Sequence, residues 1–157
     1  MDTNILCQLS IIWAGILGFP HLQGICILFY MTKGFVYDRL DTLITIHHIV
    51  TTFIVVYVYM YEHTILLPMW SKLAMVMESS SLEVLLYQEY SKKSYYDKLI
   101  LLGVYLPCRF WYVPSYLNFL WYNNGLFTPI AFTWCMVAVS GWWIRNIILN
   151  VIKKTIY

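Results

Sequence analysis

His47 and His48 are adjacent, with Thr51 and Thr52 one helical turn further on. Imidazole exchanges protons near neutral pH, and the threonine hydroxyls could hold the rings. Consecutive helical residues point about 100° apart, so one of the two aims into an interior cavity. The structural alternative is a hydrogen-bonded pair that only holds helices together. A second group is Glu78-Ser79-Ser80-Ser81 followed by Glu83, and a third is Arg109. Ser79 and Ser80 share a helix face with Glu83 through the i,i+4 and i,i+3 relations. Glu78 and Arg109 form either a buried ion pair or the border of a polar cavity for a lipid headgroup or a reacting carbonyl. The four histidines and four cysteines are scattered without metal-ligand spacing, so no metal is expected.

The elements that carry these residues are apolar. Of 157 residues, 61% are hydrophobic and 11% are Asp, Glu, Lys or Arg, against about 45–50% and 25% in soluble domains. That excludes a soluble globular enzyme and points to an all-α, multi-pass transmembrane helical bundle. A net charge of +2 is too small to suggest nucleic acid. Six windows approach the length that crosses about 30 Å of hydrocarbon at about 1.5 Å per residue: Thr3–Phe19, Leu22–Tyr37, Thr42–Tyr61, Thr64–Tyr87, Leu99–Tyr122 and Leu126–Ile152. Pro20-His21 makes a tight turn between the first two, for which a re-entrant pair is the competing reading. Breaks are expected at Asp38-Arg39-Leu40-Asp41, at Glu62-His63, from Glu89 to Lys98 and at Asn123-Asn124-Gly125.

Basic residues fix the expected orientation, because they are retained on the cytoplasmic face. Lys33, Arg39, Lys92, Lys93, Lys98, Lys153 and Lys154 flank one face and none flanks the other, which predicts both termini in the cytoplasm. Lys72 and Arg145 are expected to reach the interface by snorkelling. Glu78 and Arg109 lie about eleven residues, or about 16 Å, from their helix ends on consecutive antiparallel helices, too deep to snorkel. His47, His48 and Glu83 are expected at a common, shallower level. Ala138-Val139-Ser140-Gly141 only loosely matches a nucleophile elbow, with Ala138 where the leading Gly belongs.

Four pieces in order, Gly34-Phe35-Val36-Tyr37-Asp38, His47-His48-Ile49-Val50-Thr51, Met77-Glu78-Ser79-Ser80 and Arg109, resemble the TLC-domain family of TRAM, Lag and CLN homologues. The resemblance is strongest over residues 34–112 and implies a single TLC-like domain over residues 1–157 in an endomembrane such as the endoplasmic reticulum. It implies a protein that binds or regulates membrane lipid, in sensing, trafficking or homeostasis, with Thr51, Glu78, Ser79, Ser80, Glu83 and Arg109 around the headgroup. The ceramide-synthase branch implies instead an acyltransferase with His47 and His48 as catalytic residues, acyl-CoA as co-substrate and no other cofactor. That branch carries a His-Asp step and a further Asp where this chain has Met77-Glu78 and Ser81. A structural subunit of a larger assembly is the remaining class.

Overall fold

Glycine, proline and short polar side chains set where each helix stops. Gly18, at φ 74°, adopts the left-handed conformation that ends the first helix. The N–H of Phe19 bonds the carbonyl of Ala14 at 2.9 Å and that of Gly18 bonds Gly15 at 3.2 Å, the pair of bonds that defines a Schellman cap. Pro20 then opens the next helix, where its missing N–H costs nothing. The Asn123-Asn124-Gly125 break repeats the device. Asn124 has φ 58°, and Gly125 N–H reaches Leu120 O at 2.8 Å.

The computed structural model of the protein describes residues 3–37, 42–61 and 66–156. Among the described residues the protein is 91% helix, with no strand. The helices are α1 (Thr3–Ile16), α2 (Pro20–Tyr37), α3 (Thr42–Tyr61), α4 (Leu67–Tyr90), α5 (Tyr95–Pro107), α6 (Val113–Tyr122) and α7 (Phe127–Ile156). A π-helical turn, Cys108–Tyr112, joins α5 and α6 into one rod. The six rods match the six apolar windows in order, so the all-α expectation holds. The expected breaks at Asp38-Arg39-Leu40-Asp41 and Glu62-His63 lie outside the described residues.

Two helices are long and apolar enough to cross a membrane: Ile44–Tyr61 and Phe127–Lys153, each with mean hydropathy 1.5. The other four rods depart from the simple pattern for visible reasons. The 14 residues of α1 span only about 21 Å. Lys33 interrupts α2, and α4 carries Lys72, Glu78, Glu83 and Glu89. The α5–α6 rod is broken by its π-turn. Only 17% of the Ile44–Tyr61 window is buried, unlike the core helix of a soluble protein. Trp13, Ile25, Phe29, Met60, Trp111 and Trp142 are all exposed. Apolar surface on this scale is stable against lipid or a partner rather than water.

Inside, α1 packs on α2 and α4, α2 on α3, α4 on α5 and the π-turn, and α3 and α6 on α7. Leu73, Val113, Leu117 and Leu120 form the centre of one apolar cluster, and Leu101 and Ile144 of another. Consecutive rods run antiparallel, as the bond from Lys33 Nζ near the end of α2 to Asn4 Oδ1 at the start of α1, 2.6 Å, shows for the first pair. One end of the bundle therefore gathers the start of α1, the end of α2, the start of α3, the end of α4 and the start of α5.

The α4–α5 corner at that end is held by a capping box. Ser94 Oγ accepts from Asp97 N–H at 3.2 Å, and Asp97 Oδ2 accepts from Ser94 N–H at 3.0 Å and from the Ser91 hydroxyl at 2.8 Å. These bonds, led by the one from Ser91, hold the Asp97 carboxyl below its ordinary value. Its stabilising contribution is therefore complete above the unfolded value of about 3.9 and is lost as the pH falls through the lower folded value. Ser94→Ala should cost about 1 kcal/mol in unfolding free energy, measured as a lower thermal midpoint in detergent.

Candidate functional site

Prolines shape the turn that presents Arg109. Pro107 and Pro114 bracket residues 108–112, and neither has an N–H to continue the α-helical ladder. The ladder widens there, with the Val113 N–H bonding Cys108 O five residues back. Arg109, in this turn, is 3% exposed and spans the gap to α4.

The partners of Arg109 are serines. Its Nε donates to Ser80 Oγ at 2.7 Å, and its Nη2 donates to Ser81 Oγ at 2.7 Å and to Met77 O at 3.2 Å. Both hydroxyls donate in turn to Met77 O, at 2.6 and 3.1 Å, so they are free to accept from the guanidinium. The Tyr105 ring lies 5.6 Å from Cζ as a cation–π contact. Arg109 Nη1 is buried with no hydrogen-bond partner. Glu78 makes no hydrogen bond or ion pair among the described residues. The alternative of a direct Glu78–Arg109 ion pair is thus replaced by a shared cavity.

That cavity, of about 210 Å³, is lined by Gln8 on α1, Tyr30 on α2, Ile44, His47 and His48 on α3, Tyr105 and Arg109 on the α5–α6 rod, and Met136, Val139, Ser140 and Trp143 on α7. From α4 it is lined by Glu78, Ser81, Val84, Leu85 and Gln88. A second cavity of about 60 Å³ continues toward the opposite end of the bundle, walled mainly by Ile27, Ile54, Val55, Val58, Leu73 and Met77. His47, Glu78 and Met136 line both. A larger chamber that holds Arg109 and the polar side chains of α3 and α4, the polar chamber, and a smaller, more apolar one therefore meet at one imidazole and one carboxyl.

The two histidines divide as their 100° separation requires. His47 lines both chambers, whereas His48 is 5% exposed and also packs against α2. The His48 ring contacts Tyr30, Phe35 and His47, with ring centroids 5.7–5.8 Å apart. Its Nδ1 lies 3.4 Å from Met31 O. A Cβ at Gly34 would fall inside the ring, so α2 can approach α3 this closely only with glycine there.

Thr51 lines the apolar chamber. Ser80 is fully buried beneath Arg109 and lines neither chamber. Ser79 bonds Met75 O of its own helix at 2.8 Å, and Glu83 is half-buried away from both chambers. A depth count gives level but not rotation: Glu83 lies about 140° around the helix from Glu78, while Leu85 is about 20° away. Gln8, Ser81, Tyr105 and Gln88 complete the site and escape a search for charges. Gln8 and Gln23 are 3% and 0% exposed, each with an unpartnered amide oxygen. Buried amides inside apolar windows carry the same signal of costly polarity as Glu78. Among the described residues no three His, Cys, Asp or Glu side chains gather in a metal-holding group.

No protein-family description, curated protein or solved structure matches this chain.

Proposed function

We propose that this chain is a multi-pass membrane protein with six crossings, both termini cytoplasmic, that binds or regulates lipid through the polar chamber. The meeting of a polar and an apolar chamber at His47 and Glu78 carries the reading. A lipid needs such a pair, hydrogen-bonding groups for its headgroup and an apolar wall for its chain. The polar chamber runs from Glu78 and Arg109, midway along their rods, toward the end of the bundle flanked by Lys33, Lys92, Lys93 and Lys98, which the positive-inside rule assigns to the cytoplasm. The resemblance to the TLC-domain family, with an endomembrane location such as the endoplasmic reticulum, agrees with this function.

A second reading, a lipid acyltransferase using acyl-CoA, is favoured by one observation: His47 sits where the chambers join, the place where a headgroup amine and an acyl carbonyl would meet. His47 would be the general base on the amine. His48, packed against α2, would orient it.

Lipid extracted from the purified protein and quantified by mass spectrometry tests the binding reading. Ala74 lines the apolar chamber, and Ala74→Leu fills part of it. The wild type is expected to retain about one lipid per chain and the variant several-fold less, since even one added methylene is felt in a packed interior. Equal retention by both would place the lipid elsewhere.

A further inference from the structure

The unpaired polar groups of the larger chamber specify what would bind there, and this inference rests on the lipid-binding reading. Gln8, Glu78 and Arg109 are 3%, 6% and 3% exposed. Gln8 Oε1 and Arg109 Nη1 are buried without partners. The Glu78 carboxyl makes no hydrogen bond among the described residues, although all three residues line the chamber. Buried polar groups are nearly always satisfied in native proteins, so two unpartnered atoms and an unbonded carboxyl around one cavity call for an occupant.

The three differ in kind. The Gln8 and Glu78 oxygens accept, and Glu78 in its ionised form also favours a cation. The Arg109 Nη1 donates and favours an anionic oxygen. We propose that the chamber is a headgroup site for a lipid carrying a primary ammonium and a phosphate, with the ammonium on Glu78 and Gln8 and the phosphate on Arg109. A quaternary ammonium has no N–H to give the two acceptors, so a choline headgroup would leave both unsatisfied at their buried cost. A purely anionic headgroup would satisfy Arg109 and be repelled by Glu78. The volume of about 210 Å³ suits a two-carbon amine and one phosphate, and the apolar chamber beyond His47, of about 60 Å³, takes a few methylenes of a chain.

Native mass spectrometry of the delipidated full-length protein, titrated with single lipids of matched oleoyl chains, tests this. Dioleoyl-phosphatidylethanolamine is expected to bind about tenfold more tightly than dioleoyl-phosphatidylcholine, equivalent to about 1.4 kcal/mol. Dioleoyl-phosphatidylethanol, which lacks the ammonium, and oleylamine, which lacks the phosphate, should fall with the choline lipid. Glu78→Gln, nearly isosteric, should bring the ethanolamine-to-choline ratio close to one. That ratio stays readable even if the variant is less stable. Soluble O-phosphoethanolamine should compete only weakly; if it binds as tightly as the lipid, the site stands and its occupant is the free compound. Equal binding of the ethanolamine and choline lipids, or an unchanged ratio in Glu78→Gln, overturns the headgroup assignment while leaving lipid binding intact. Retention of no lipid of any kind overturns both.

Discussion

Arg109→Met is expected to lower the unfolding free energy of the detergent-solubilised protein by about 3 kcal/mol. Arg109 donates three hydrogen bonds to Ser80, Ser81 and Met77, and bonds from a charged donor contribute about 1.5–3 kcal/mol each. Removing a buried charge returns part of that, because its desolvation cost disappears as well. Arg109→Lys keeps the charge but has no planar fork to reach both hydroxyls, so it should recover only part of the loss. Double-mutant cycles identify the partners. Arg109→Met with Ser80→Ala should be clearly non-additive, whereas Arg109→Met with Glu78→Gln should be closer to additive, since no hydrogen bond or ion pair joins those two side chains. The reverse ranking would restore the direct ion pair.

His48→Ala should cost about 2–4 kcal/mol, in the range of other large-to-small core changes, and His47→Ala less than about 1 kcal/mol. The neighbours have unlike surroundings: His48 is 5% exposed within the ring cluster of Tyr30 and Phe35, while His47 faces the chambers. Gly34→Ala should resemble His48→Ala, because the added methyl displaces the same ring. In the lipid-retention assay the order inverts, with His47→Ala losing lipid although it stays folded. Equal thermal midpoints for the two histidine variants would contradict this division.

Much of the fold is legible in the sequence because helix periodicity and apolar length act locally. The six windows lie along the six rods, α4 and α7 run three and four residues past their expected ends at Tyr87 and Ile152, and two other ends are moved by caps. Gly18 stops α1 at Ile16, short of Phe19, and the Ser94–Asp97 box starts α5 at Tyr95, ahead of Leu99. That Ser-x-x-Asp spacing is visible in the sequence. The polar interior is legible from insertion cost, which singles out Glu78 and Arg109. Rotation about each axis is not, because it depends on how neighbouring rods pack. Ser81 therefore replaces Ser79 beside Arg109, and Glu83 turns away from the chamber that His47 enters. The π-turn depends on two prolines seven residues apart, each unremarkable alone.

A structure of the full-length protein determined in lipid nanodiscs tests the central claim most directly. A bound lipid is expected with its headgroup between Arg109 and Glu78, and a chain passing His47 into the space walled by Val55, Val58 and Leu73. Lipid confined to the outer faces of α3 and α7, with both chambers holding only water, would contradict it.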